Sequence, residues 1–171
     1  KCRLSPDDVE SRIISEAISC NSTAFLDCSN PEKPVALGNP TEGALLLWLR
    51  DAGCDYLEIR DQCEVLAQVP FSTERKYMAT AVRSKELGCN VLYVKGAPEI
   101  VYGLCSSTTG DVAEAEIKAS LAGYQAKAMR TLGFARHLLA EGEMPVIDGK
   151  LQQCDLRFTG IVAISDPVRE D

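Results

Sequence analysis

A single histidine, His137, serves the whole of this 171-residue chain. That scarcity leaves little room for a Ser-His or Cys-His nucleophile, and no G-x-S-x-G elbow presents a serine. Cysteine is not scarce, with eight at positions 2, 20, 28, 54, 63, 89, 105 and 154, but no two form a C-x-x-C pair. Metal-ligand spacing is therefore absent, and one imidazole adds little to it. Neither G-x-x-x-x-G-K-[ST] nor G-x-G-x-x-G occurs, which sets aside P-loop and dinucleotide-binding folds. No apolar run approaches the roughly 20 residues of a membrane span, and no signal or transit peptide is expected at the N-terminus. Internal repeats and low-complexity segments are lacking too. As an isolated catalyst the chain is poorly equipped.

What is present suits one globular domain with a full core: 46% hydrophobic and 25% charged residues over 171 positions. The net charge of −7 argues against nucleic acid or an anionic membrane surface as the main partner. A polyanion would have to find a local patch of cations. Most cysteines sit in apolar settings, such as Ile18-Ser19-Cys20 and Leu104-Cys105. They read as reduced structural thiols in a cytosolic protein. Asn21-Ser22-Thr23 matches a glycosylation sequon in form, which carries no meaning in that compartment.

Helix signals come first. Ser5-Pro6-Asp7-Asp8 reads as an opening with Ser5 as cap, and Val9, Ile13, Ala17 and Cys20 recur at helical spacing, widened by Ile14 and Ile18. Residues 21–34 read as a loop with a short strand at Ala24-Phe25-Leu26. Asn39-Pro40-Thr41-Glu42 opens a second helix through Ala52, with Glu42 placed as in a capping box and Gly53 as the stop. Strands are expected at 64–70 and 76–83, then at 90–95 after the turn Leu87-Gly88-Cys89-Asn90. Pro98 starts a short helix, 106–110 is a loop, and Asp111 or a neighbour caps a longer helix. The face of that helix is expected to carry Val112, Ala115 or Ala119, Leu121, Tyr124 and Ala128. A strand near 134–136, a loop at 138–151 and a buried strand at 158–164 stopped by Asp166-Pro167 complete the order. The fold class is α+β: an antiparallel sheet of about six or seven strands flanked by helices.

The chemistry concentrates in two stretches. Val94-Lys95-Gly96-Ala97-Pro98-Glu99 places a lysine at the end of an apolar strand, before a turn and a helix start. Phe71-Ser72-Thr73-Glu74-Arg75-Lys76 places a ring and two cations beside it. A flat apolar face next to cations is what a purine nucleotide requires. Each residue also has a plainer reading. Phe71 is either a core ring or a ring at a pocket mouth, and Lys95 either a solvated strand end or a ligand contact. Glu42 is either a helix-capping acid or an acceptor for an adenine amino group. Arg130 is either a solvent-facing charge or a bidentate phosphate partner.

Taken together, Asn21-Ser22-Thr23, Gly38-Asn39-Pro40-Thr41-Glu42-Gly43-Ala44-Leu45, Phe71 to Met78, Lys95-Gly96-Ala97-Pro98-Glu99, Arg130-Thr131-Leu132 and Asp166-Pro167 resemble, in order, the nucleotide-binding (N) domain of P-type cation-pumping ATPases. The resemblance covers nearly the whole chain. Thr73 stands where sarcoplasmic-reticulum-type calcium pumps carry arginine, so the stretch looks more like plasma-membrane-type and bacterial calcium pumps. The resemblance implies the N-domain fold, with Phe71 stacking on adenine and Glu42 meeting its amino group. Lys76 and Lys95 would line the adenine pocket, Gly96 would let the nucleotide approach the backbone, and Arg130 with Leu132 would face ribose and phosphates.

It further implies a single domain over 1–171, with hinge strands near 1–4 and 164–171 leading to a phosphorylation domain. The phosphorylated aspartate would lie before Lys1, so this chain would bind Mg-ATP without hydrolysing it and would itself hold no catalytic residue and no metal site. Its partners would be the phosphorylation, actuator and transmembrane domains of one pump, calcium the cargo, and the setting the cytoplasmic side of a bacterial cell membrane. Alone it is expected to be monomeric. The alternatives from other classes are the cap domain of a haloacid-dehalogenase-type hydrolase and a non-enzymatic interaction domain.

Overall fold

Aspartate, not serine, begins the first helix. In the computed structural model, which describes residues 4, 5, 7–108 and 114–165, α1 spans Val9–Cys20 and Asp8 is its cap. The Asp8 carboxylate accepts from the Ser11 backbone N–H at 3.0 Å and from Ser11 Oγ at 2.9 Å. Ser5, the expected cap, is spent on the preceding turn, where its carbonyl accepts from Asp8 N–H. Aspartate and serine cap about equally well, so the backbone path decides between them. Pro6 lies outside the described residues.

A two-stranded ribbon, β1 (Phe25–Asp27) and β2 (Val35–Leu37), leads to α2 (Pro40–Asp51). Asn39 Oδ1 accepts from the Thr41 and Glu42 N–H groups at 2.9 and 3.2 Å, with Pro40 in the first turn, as the sequence indicates. Glu42 does not complete a capping box, because its carboxylate has other partners described below. Helix α3 (Tyr56–Gln62), capped by Asp55, was not foreseen. Only Tyr56 on it is buried, so no apolar period announces it.

The sheet contains β3 (Glu64–Val69), β4 (Tyr77–Arg83), β5 (Asn90–Gly96), β6 (Cys105–Thr108), β7 (Arg130–Leu138) and β10 (Leu156–Ile164), in the spatial order β3-β4-β5-β7-β10-β6. Every pairing is antiparallel except β10 with β6. Strand β6 replaces the expected loop at 106–110, of which residues 109 and 110 lie outside the described set. The other expected loop, 138–151, holds a small ribbon of β8 (Val146–Ile147) and β9 (Lys150–Leu151).

Strand β5 is buried on both faces and divides the interior. Val91 and Tyr93 join Val82, Ile13, Cys20 and Cys63 on the side of α1 and α3. Leu92 and Val94 join Ala79, Ala81, Ala135, Phe158 and Val101 of α4 (Pro98–Leu104) on the other side. Side chains alternate faces along a strand, so one register assigns both layers. A third cluster sets Leu45, Leu46 and Leu49 of α2 on Ile18 and Tyr56. Helix α5 (Glu114–Ala126) lies at the surface, touching the sheet-side core through Ile117. Its inward face is Ile117, Leu121 and Tyr124, while Ala115, Ala119 and Ala128 are exposed, contrary to expectation. Val112, Asp111 and Asp166-Pro167 fall outside the described residues. Among the described residues no helix is long and apolar enough to cross a membrane.

Candidate functional site

Strand alternation puts Lys95 on the same face as Tyr93 and Val91, turned toward the helices that start the chain. The lysine is 4% exposed and its Nζ lies 2.7 Å from Glu42 Oε1 near the start of α2. Glu42 Oε2 accepts from Ser22 Oγ at 3.2 Å, from the Thr23 N–H at 3.0 Å and from Thr23 Oγ1 at 3.1 Å. Burial by itself would raise the Glu42 carboxyl, but Lys95 and the Thr23 donors outweigh it and hold the group below the usual carboxylate range. Burial lowers the Lys95 ammonium, and the attraction of Glu42 only partly restores it. The pair is a buried salt bridge in which Oε2 takes three donors and Oε1 takes Lys95 alone, and Ser22 and Thr23, from the first of the strings that carry the family resemblance, are its clamp. The sequon's Asn21 is 1% exposed, tied to Tyr93 and Met78 carbonyls and accepting from Thr80 Oγ1 at 2.7 Å.

Above this pair opens a cavity of about 460 Å³, within the range of small-molecule sites. Glu42, Lys95 and Gly96 are its buried part, and Asn39 and Thr41 line it from the start of α2. Gln125 lines it from α5, and Met129, Arg130, Thr131 and Leu132 from the entry to β7. Arg130 Nη1 donates to Thr41 Oγ1 at 2.8 Å, joining the two walls. Phe71 lines the cavity while remaining 53% exposed. Phe71 is therefore not a core ring and Lys95 is not a solvated strand end. Among the described residues no group of three or more His, Cys, Asp or Glu side chains could hold a metal.

Six of the seven expected site residues line this cavity: Glu42, Phe71, Lys95, Gly96, Arg130 and Leu132. Lys76 does not. It sits exposed in the turn between β3 and β4 with φ +59°, its N–H donating to the Ser72 carbonyl at 2.8 Å. Its own carbonyl accepts from Ala97 N–H at 3.0 Å, which lays the Lys76 backbone against Gly96. A Cβ on Gly96 would collide with the Lys76 oxygen and lie 2.7 Å from Tyr77 Cα. The glycine therefore has an internal reason, the close approach of β4 to β5.

Asn39, Thr41, Gln125, Met129 and Thr131 were not foreseen as lining residues. The first two stand inside the Gly38-to-Leu45 string and were legible there. Gln125 and Met129 carry no local signal, since only the packing of α5 beside β7 brings them in.

Comparison with known proteins shows the family. Residues 10–171 match the family model described as the P-type ATPase cytoplasmic domain N. A calcium-transporting ATPase of Dictyostelium discoideum is 34% identical over 97% of the chain. A plasma membrane-type calcium-transporting ATPase of Arabidopsis thaliana is 31% identical over 97%, and a calcium-transporting ATPase of Lactococcus lactis 29% identical over 92%. The chain spans 15%, 16% and 18% of the length of these three relatives, respectively. The α+β fold and the match over residues 10–171 together place the chain in the P-type ATPase family as its cytoplasmic domain N.

Proposed function

We propose that the cavity between α2, β5 and β7 binds ATP and that the domain carries the nucleotide's γ-phosphate to an aspartate on a separate phosphorylation domain. The observation that carries this reading is the exposed Phe71 ring at a cavity whose buried end holds a charged but internally neutral pair. A ring free on one face stacks on a base, and such stacking contributes roughly 1–3 kcal/mol. Glu42, already ionised and fixed by Ser22 and Thr23, accepts from the exocyclic amino group. Lys95 holds that carboxylate in place and lines the base pocket. Because Lys95 and Glu42 cancel, attraction for phosphates falls to Arg130 in the wall and to Lys76 in the nearby turn. Leu132 covers the ribose side, and Mg²⁺ arrives with the phosphates as part of the substrate.

Phosphoryl transfer depends mainly on positioning and charge neutralisation, so a domain that holds the base and swings suffices for its share. Residues 1–4 and 164–171 are the proposed hinges. Leu4 and Ile164 pack against the same apolar cluster, which supports a common exit point for both. The parent protein is proposed to be a calcium pump, with this domain on the cytoplasmic side alongside phosphorylation, actuator and transmembrane domains. The names of the similar proteins support that cargo.

Calorimetric titration of the chain with ATP tests the reading. Saturable binding with a dissociation constant of about 0.1–1 mM is expected, without hydrolysis. Phe71→Ala should weaken it by at least about fivefold, the lower bound of base stacking, and leave the melting temperature nearly unchanged. An absence of binding up to about 10 mM ATP, or an unaltered affinity in Phe71→Ala, overturns it.

A further inference from the structure

Two pairs of cysteines meet in this fold, and they are not equivalent. Cys105 and Cys154 lie together against the sheet-side core, and burial pushes both thiols up, to about 12 and about 11. Both stay protonated and inert. Cys20, the last residue of α1, and Cys63, the cap at the end of α3, share the opposite cluster. Packed in one cluster, the two thiols act on each other, which pushes Cys20 up and draws Cys63 below the ordinary thiol value. The Lys85 backbone also favours ionisation of Cys63, while burial and the Glu16 carboxylate oppose it without prevailing. The Arg60 guanidinium offsets part of the rise at Cys20.

Access matches this asymmetry. Both thiols line a surface cavity of about 420 Å³ with Arg60, and Cys63 also lines a second one of about 220 Å³ between α1 and α3. Cys63, itself 9% exposed, thus adjoins two cavities large enough for a small oxidant.

The geometry points to a hydroperoxide-oxidised dithiol, in which Cys20 and Cys63 close to an intramolecular disulfide that ties the end of α1 to the end of α3. The Cys63 thiolate attacks one peroxide oxygen, the O–O bond breaks, and the other oxygen leaves and takes a proton as water or alcohol. Oxidation of Cys63 removes the thiolate that helped to raise Cys20; the Cys20 sulfur then attacks the Cys63 sulfenic sulfur and displaces hydroxide, which takes the Cys20 proton and leaves as water. Two thiols lose two electrons and one hydroperoxide gains them.

The bond bears on the nucleotide site. Asn21, Ser22 and Thr23 follow Cys20 directly, and the last two hold Glu42. A change in the position of Cys20 is passed to that clamp within three residues. This consequence rests on the ATP-binding reading, whereas the disulfide itself does not.

The test treats the reduced chain with hydrogen peroxide, alkylates the remaining thiols and maps peptides without reduction. The expected product has lost two of eight thiols, contains a Cys20–Cys63 linked peptide, and reverts with dithiothreitol. Cys20→Ser should stop at a Cys63 sulfenic acid trapped by dimedone, and Cys63→Ser should trap none at Cys20. Oxidation at the exposed Cys28 with Cys20 and Cys63 unlinked overturns the assignment, and the wild-type map decides this even if a variant fails to fold. ATP titration of the oxidised chain should show about tenfold weaker binding, the scale of one charge-assisted hydrogen bond. Unchanged affinity after oxidation overturns the coupling. No ATP binding in the reduced chain overturns the nucleotide reading and leaves the disulfide to the peptide map.

Discussion

Replacing Lys95 with methionine removes a charge and keeps most of the side-chain volume. Glu42, 8% exposed, is then left as a buried carboxylate without its cation. Breaking one side of a buried pair costs about 3–5 kcal/mol. Three donors from Ser22 and Thr23 remain on Oε2, so the loss should lie near the lower bound, about 3 kcal/mol. With a urea slope of about 2 kcal/mol/M, the unfolding midpoint should fall by about 1.5 M at unchanged slope. Glu42→Gln leaves a buried ammonium whose ionisation is already disfavoured, and about 2 kcal/mol is expected. The double variant is neutral at both positions, and the amide oxygen that Glu42→Gln introduces can still accept from Thr23. Its loss should be about 1 kcal/mol, well short of the sum, which is a coupling of several kcal/mol. Additivity to within about 0.5 kcal/mol refutes the reasoning, as does a Lys95→Met variant destabilised by less than about 1 kcal/mol.

The remaining predictions concern the same face of the sheet. Gly96→Ala should cost about 2–3 kcal/mol in urea unfolding, because its Cβ meets the Lys76–Tyr77 backbone rather than a flexible side chain; a loss under about 0.5 kcal/mol contradicts that packing. Folding lowers the Glu42 pKa from its ordinary 4.5, so the unfolded chain binds more protons and stability rises with pH across this window. That contribution is full above about 4.5 and disappears as pH falls through the folded value. Glu42→Gln should therefore show a flatter acid limb in a series of unfolding curves from about pH 3 to 6. Tyr93→Phe strips the 2.7 Å donor from the buried Glu16 carboxylate, and thermal unfolding should register about 1–3 kcal/mol.

Much of the architecture is written locally. Asn39-Pro40 fixes the start of α2, the 87–90 turn fixes the β4–β5 hairpin, and the alternation 78–80–82 against 77–79–81 matches the two faces that bury those residues. Segments without an apolar period escaped: α3, with one buried residue, and β6, a short edge strand whose partner β10 lies about fifty residues away. The first cap was misplaced because Ser5 and Asp8 are equally good caps and only the path of the chain separates them.

The sequence by itself determined the family, the fold class and much of the lining of one cavity, because the strings Gly38–Leu45, Phe71–Met78 and Lys95–Glu99 carry short-range chemistry in a fixed order. What tertiary structure decided is which groups share one space. Lys95 meets Glu42 across 53 residues, and Thr23 meets Glu42 across 19. Position 96 has no room for a side chain because β4 passes beside it. Periodicity reports which face a residue takes, since that depends on its own strand or helix. Partnership depends on how separate elements pack, and no local window contains both partners.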